Sequence, residues 1–151
     1  MNKLFCVVIF VLGSMGISLS QGIDIQAHRG GMALYPENTI IAMLNAMDWG
    51  VNTLEMDLSI SQDKQVVVSH EHVMDHRYVT TPCGKSFTKA EEKNYKLYSM
   101  PYDSIVKYDT GIKGDPRFTQ RKKVPAHKPL LSDLIDEAEA YARKNSLPLP
   151  Y

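Results

Sequence analysis

Between Asn38 and Trp49 the apolar residues Ile40, Met43, Leu44 and Met47 recur at helical spacing. This predicts an amphipathic helix with Asn38 or Thr39 as N-cap and Gly50 as its stop. Ahead of it, Asp24 to His28 is a short run between Gly22 and Gly30-Gly31, read as a strand ending in a tight turn. Thr53 to Ile60 alternates strictly, with Leu54, Met56, Leu58 and Ile60 on one face and Thr53, Glu55, Asp57 and Ser59 on the other. A turn at Ser61-Gln62-Asp63-Lys64 leads into Val66-Val67-Val68-Ser69-His70, a β-branched run of the kind buried on both faces of a parallel sheet. Helical spacing resumes from Ser132 to Lys144, with Leu134, Ile135, Ala138, Tyr141 and Ala142 on the apolar face and Ser132 as cap. Leu147 to Tyr151 reads as the lead-in to another strand.

The order β-α-β-β is interrupted from about residue 71 to 128, a Tyr- and Pro-bearing stretch without a long period. Its one local helix signal is the capping-box pattern Thr88-Lys89-Ala90-Glu91. Connections between elements usually run to about 4 to 6 residues, so a stretch of this length reads as a lid or binding loop.

Composition changes the picture at three points. Lys and Arg number 17 and Asp and Glu 17, so no electrostatic footprint for nucleic acid or anionic lipid stands out. Residues 1–20 carry Lys3, the apolar run Leu4 to Leu12 and then small residues, the three-part form of a secretory signal peptide. That run is too short for a membrane span, which needs roughly 20 apolar residues. Export, to a periplasm or the medium, is therefore expected. Cys6 leaves with the leader, and Cys83 then has no partner for an intramolecular disulfide.

Glu55 and Asp57 are two apart on the predicted strand, so their carboxylates share a face, about 7 Å apart along it. Two like charges there call for a positive partner, and a hard divalent cation, Mg2+ or Ca2+, suits oxygen ligands. If the three strands run parallel, their C-terminal ends gather His28, Arg29, Glu55, Asp57 and His70 at one edge of the sheet. Two imidazoles, a guanidinium and a divalent cation suit phosphodiester cleavage. One histidine takes a proton from the nucleophile and the other protonates the leaving alcohol. His72 and His76, close after His70, raise the alternative of a zinc site, but no helix is predicted there to present them as the helical i, i+4 pair of zinc hydrolases does. His127 reads as a loop histidine.

Ala27-His28-Arg29-Gly30-Gly31, Pro36-Glu37-Asn38-Thr39, Glu55-Met56-Asp57, Ser61-Gln62-Asp63 and Val67-Val68-Ser69-His70-Glu71 follow one another at close spacing, and Lys128-Pro129-Leu130-Leu131-Ser132-Asp133-Leu134 comes later. Together they resemble the glycerophosphodiester phosphodiesterase family. The resemblance implies an α/β fold, the N-terminal part of a (β/α)8 TIM-type barrel with an insertion at about 71–128 after the third strand. It implies a partial domain over residues 21–151. It also implies hydrolysis of small-molecule glycerophosphodiesters to an alcohol and glycerol 3-phosphate. In that family the glycerol hydroxyl beside the phosphate acts as internal nucleophile, giving a cyclic phosphate that water opens. Carried over by position, His28 and His70 are the acid/base pair, Arg29 contacts the phosphate, and Glu55 and Asp57 ligate the divalent cation.

Two departures stand out. The family usually has His-Asp where this chain has His70-Glu71. Its third metal carboxylate comes from a fourth strand, expected after Tyr151, and a full barrel takes about 250 residues. The sequence thus reads as the front part of a longer enzyme, inactive by itself. Related barrel phospholipases, of the sphingomyelinase D or phosphoinositide phospholipase C type, share the two-histidine plan. A secreted binding protein or an inactive fragment is the reading from another class.

Overall fold

The computed structural model describes residues 23–150. The predicted leader at residues 1–20, and Tyr151, lie outside the described residues. The architecture is a partial α/β one, with two two-stranded sheets, two longer helices and no closed barrel among the described residues.

The first sheet pairs β1 (Gln26–Ala27) with β2 (Thr53–Leu54) in parallel, Gln26 beside Thr53 and Ala27 beside Leu54. The predicted first strand is shorter than expected because His28–Gly30 folds at once into a 3-10 turn. That turn needs left-handed backbone at Arg29 (φ 51°) and Gly30 (φ 75°). At Gly30 a Cβ would come within 2.9 Å of Met43 Sδ and 3.1 Å of Ala42 Cβ, so glycine lets the turn lie directly on the following helix.

That helix, α1 (Ile40–Asp48), is capped by Thr39, whose Oγ1 accepts from the Ala42 N–H at 3.3 Å. It buries Ala42, Met43, Ala46 and Met47, while Ile40 and Leu44 pack at the edge of the core. Asn38, the other cap candidate, has φ 56° and is used elsewhere.

The strand predicted over Thr53–Ile60 is broken. β2 ends at Leu54, and β3 (Leu58–Ile60) begins only after Glu55, Met56 and Asp57. The cause is a change of partner. The Glu55 N–H still bonds to Ala27 O at 3.3 Å, but the Asp57 N–H goes to Asn38 Oδ1 at 3.1 Å, and the Asp57 carbonyl accepts from Ser69 N–H at 2.8 Å. The pleat is reset across the break, so Leu58 and Ile60 are exposed and Ser59 is buried, the reverse of the predicted faces.

β4 (Val66–Val68) pairs with β3 antiparallel, Leu58 beside Val68 and Ile60 beside Val66, which corrects the expectation of three parallel strands. The connection is short: Ser61 Oγ accepts from the Gln65 N–H at 2.9 Å, and two strands so linked can only form a hairpin. The far edge of β4 meets residues 129–130, with Val68 N–H donating to Pro129 O at 2.9 Å.

Burial of β4 on both faces holds at Val67 and Val68, each fully buried. Val68 faces a core of Ala27, Met43, Ala46, Met47, Leu54, Leu134, Ala138 and Ala142. Val67 faces a second core of Met74, Tyr78, Val79, Phe87, Leu97 and Ile105, supplied by the segment after β4. That segment contains 3-10 turns at Lys89–Asn94 and Leu97–Ser99 and the short α2 (Tyr102–Ile105). The Thr88 pattern is realised: its N–H and Oγ1 both donate to Glu91 Oε2 at 2.7 Å.

The final helix, α3 (Leu131–Asn145), starts one residue before the expected cap. Leu130 occupies the cap position, and Ser132 donates to Asp133 instead. Leu134, Ala138 and Ala142, four residues apart, face α1. Residues 147–150 form no strand. No helix among the described residues is long and apolar enough to cross a membrane.

Candidate functional site

The turn after β1 brings Arg29 against both carboxylates of the predicted pair. Its backbone N–H donates to Glu55 Oε2 at 2.7 Å, and its Nε lies 3.3 Å from Asp57 Oδ2. That last contact is an ion pair and not a hydrogen bond, since Arg29 Nε is buried without a well-aligned acceptor. The left-handed φ at Arg29 turns its amide and its side chain toward Glu55 and Asp57 together. Asn38 completes the arrangement, donating from Nδ2 to Asp57 Oδ2 at 3.0 Å while accepting from the Asp57 N–H. The positive partner expected between the two acids is thus, in part, Arg29.

Arg29 also donates to Glu37 Oε1 at 2.9 Å. Glu37 is buried, and its Oε2 lies 3.2 Å from Arg117 Nη2 and 3.3 Å from Arg121 Nη2. One carboxylate thus meets three guanidinium groups. The two more distant arginines share a second carboxylate, Asp115, whose side chain is wholly buried. Burial would raise the Asp115 carboxyl, but hydrogen bonds from Arg117 and the charges of Arg117 and Arg121 outweigh it and hold the pKa below the usual carboxylate range.

His28 is exposed at the start of the same turn. His70 follows β4, one residue after the Ser69 amide that donates to Asp57 O. In the antiparallel hairpin the backbone of Ser69, next to His70, is thus bonded to that of Asp57. Glu71, the departure from the family's usual Asp, folds back so that Oε1 lies 3.1 Å from His70 Nδ1. Arg77 Nη2 stands 3.5 Å from the same oxygen and is itself anchored on Asp75.

Beneath this turn Lys128 is buried, with Nζ donating to Ser69 Oγ at 2.7 Å, and that hydroxyl donates to Glu71 O at 2.7 Å. Burial pushes the Lys128 ammonium down to about 8, against the opposing pull of Glu37, Asp75, Glu71 and Asp57. Glu37 and Lys128 stood inside the quoted strings without a role. Arg117, Arg121 and Asp115 carried no sequence signal beyond charge.

His72 lies outside this group, its Nδ1 3.4 Å from Ser59 Oγ, and His127 is exposed. His76 belongs to a separate cluster. Ligand atoms of Asp75, His76 and Glu92 lie within 4.8 Å of one another, an arrangement that could hold a metal ion. There Asp75 is already bound by Arg77 through both oxygens, and Glu92 Oε1 is 2.6 Å from His76 Nδ1. Cys83 is free and exposed.

The glycerophosphoryl diester phosphodiesterase family model matches residues 28–146. A glycerophosphodiester phosphodiesterase from Caldanaerobacter subterraneus subsp. tengcongensis is 34% identical over 92 residues, covering 61% of this chain and 32% of that protein. A putative glycerophosphodiester phosphodiesterase from Bacillus subtilis is 30% identical over 105 residues, 70% of this chain and 37% of that protein. The crystal structure of a putative glycerophosphoryl diester phosphodiesterase from Silicibacter pomeroyi superimposes with a TM-score of 0.76 at 27% identity, covering 87% of this chain and 44% of that one. The chain therefore spans less than half the length of these relatives, and within that span it follows the family's TIM-barrel-like α/β fold.

Proposed function

Because the chain belongs to the glycerophosphoryl diester phosphodiesterase family, we propose that the protein carrying it hydrolyses glycerophosphodiesters to an alcohol and glycerol 3-phosphate. The observation that carries this reading is the placement of Arg29, tied through its amide to Glu55 and through its guanidinium to Asp57 and Glu37. The candidate phosphate contact on the turn after β1 is thereby held against the two metal-ligand candidates that follow β2.

The donor set suits a hard cation. Glu55 uses Oε2 and Asp57 uses Oδ2 in the contacts above, so each carboxylate keeps its other oxygen for a metal. Oxygen ligands with water completing the shell suit Mg2+ or Ca2+. When bound, the cation supplies positive charge to the phosphoryl oxygens. Arg29 adds a fixed guanidinium on the same side.

An ionised Glu71 can only accept, so it keeps a proton on His70 Nδ1 and leaves Nε2 to exchange a proton with substrate. The longer Glu side chain performs here the orienting role open to the family's Asp. His28 and His70 divide the acid and base roles between them. The P–O bond to the alcohol breaks, the alcohol leaves with the donated proton, and the elements of water end on glycerol 3-phosphate and that alcohol.

The test is release of glycerol 3-phosphate from glycerophosphocholine by the purified protein, after chelation and after adding back Mg2+ or Ca2+. His28→Ala and His70→Ala should each lower kcat by about 10²- to 10⁴-fold. Asp57→Asn should weaken the response to metal. Absence of release under every condition, or sphingomyelin turned over in place of glycerophosphocholine, overturns the reading. We further propose that residues 1–20 direct export and are removed, so the N-terminal sequence of the mature protein should begin at Gln21.

A further inference from the structure

A cleft of about 440 Å³ opens in the 71–128 segment, with Arg77, Lys113, Asp115, Phe118, Arg121 and Lys123 in its lining. Two short chains of contacts join it to the candidate site. On one wall, Arg77 reaches Glu71 Oε1 at 3.5 Å, the oxygen that holds His70 Nδ1. On the other, Arg121 reaches Glu37 Oε2 at 3.3 Å, and Glu37 Oε1 holds Arg29. The cleft is therefore backed by the partners of a predicted acid/base residue and of the predicted phosphate contact.

Its charges are not equivalent. Arg77 is compensated by Asp75, and Arg121 by Asp115 and Glu37. Lys113 donates to a neutral acceptor, the His76 carbonyl at 2.5 Å, and has no carboxylate within ion-pairing distance among the described residues. Lys123 is exposed at the rim and has no carboxylate within ion-pairing distance among the described residues. The aromatic surface is taken: guanidinium carbons of Arg121 and Arg117 lie 4.7 and 5.5 Å from the Phe118 ring centre. A quaternary ammonium group needs an open aromatic face and nearby negative charge. Here the Phe118 ring is faced by guanidinium groups and the carboxylate in the lining, Asp115, is buried and paired with Arg117 and Arg121, whereas Lys113 and Lys123 present two ammonium groups without carboxylate partners among the described residues to an anion.

We propose that this cleft is a head-group subsite for glycerophosphodiesters whose alcohol carries a second anionic group, such as a phosphate, with Lys113 and Lys123 as its contacts. The assignment rests on the phosphodiesterase reading above and adds the substrate class.

The experiment compares kcat/KM for glycerophosphoinositol 4-phosphate with that for glycerophosphocholine, in the native protein and in a Lys113→Gln/Lys123→Gln variant, at low and high salt. The native ratio should favour the anionic diester by about tenfold or more, fall about tenfold in the variant, and shrink as salt screens the charges. A ratio near one, or a ratio untouched by the substitutions while both diesters are cleaved, overturns the subsite and leaves the phosphodiesterase reading standing. If neither diester is cleaved, the phosphodiesterase reading fails, and calorimetric binding of glycerophosphoinositol 4-phosphate then decides the subsite. Binding weakened about tenfold by the substitutions supports it, and equal or undetectable binding overturns it. Should the double variant fold poorly by circular dichroism, Lys123→Gln alone, at an exposed position, serves the same comparison with a smaller change expected.

Discussion

The frame of β1, β2, α1 and α3 and the segment from Glu71 to Lys128 share one wall, β4, yet their cores are specified differently. In the frame, Met43, Ala46 and Met47 meet Leu134, Ala138 and Ala142, two helical stripes turned toward each other. In the segment, Met74, Tyr78, Val79, Phe87, Leu97 and Ile105 converge from short turns with no common period. Aromatic contacts knit that side together, with Phe87 and Tyr95 centroids 4.7 Å apart and Tyr95 and Tyr108 5.9 Å apart. Buried ions add to it: Arg121 bridges Asp115 of the segment to Glu37, which precedes α1. A helical stripe needs only regular spacing, whereas an irregular core needs each residue to find its own neighbour across the fold. The frame should therefore tolerate apolar exchange within its stripes, and the segment should depend on individual polar anchors.

The strongest way to break the comparison is Asp115→Asn. It leaves Arg121, whose side chain is 1% exposed, short of a charge partner. Removing one member of a buried ion group costs about 3 kcal/mol. Unfolding in urea should show that loss, and hydrogen exchange should localise the earliest opening to residues 110–126 and not to α1 or α3. Uniform opening across both regions would mean that the segment is not separately anchored.

The second prediction sharpens the same contrast through pH. Folded Lys128 releases its proton near 8, whereas in the unfolded chain a lysine holds it to about 10.4. Between these values the unfolded state binds more protons, so stability rises with pH from about 8 to about 10, by at most about 3 kcal/mol. Above about 10 the trend turns, because the phenol of buried Tyr78 is held neutral by burial and by Glu37, Asp75 and Glu71 while unfolded tyrosines ionise. Urea midpoints measured across this range should rise, and Lys128→Met should flatten the rise while stabilising the protein below pH 8.

The smallest effect is expected at Thr88→Ala, which removes the Oγ1 bond to Glu91 at the exposed start of a turn that buries no residue fully. The melting temperature should fall by no more than a few degrees, since this cap is local and neither core depends on it.

Where a signal is local, the sequence reading and the structure agree. Thr39 caps α1, Thr88 and Glu91 form their box, and α3 buries Leu134, Ala138 and Ala142 of the stripe expected of it, while Ile135 is exposed and Ser132 does not cap the helix. The convergence of Arg29, Glu55 and Asp57 was also legible, because Glu55 and Asp57 are near neighbours in sequence and the glycine turn after β1 has few ways to go. The sense of the β3–β4 pairing was not. A β-branched run reads the same in a parallel or an antiparallel sheet, and here the second face of β4 is covered by the 71–128 segment.

By itself, then, the chain's order of residues determined α1, α3 and the caps at Thr39 and Thr88, since each is written in spacing over a few positions, and its motifs carried the resemblance to the family. Only the tertiary structure decided that Thr53–Ile60 breaks between Leu54 and Leu58, that Glu37 gathers Arg29, Arg117 and Arg121, and that buried Lys128 bonds to Ser69. Those outcomes depend on pairs up to 84 residues apart, such as Arg121 with Glu37. A charge or a hydroxyl alone in a sequence does not say which distant partner will satisfy it once water is excluded.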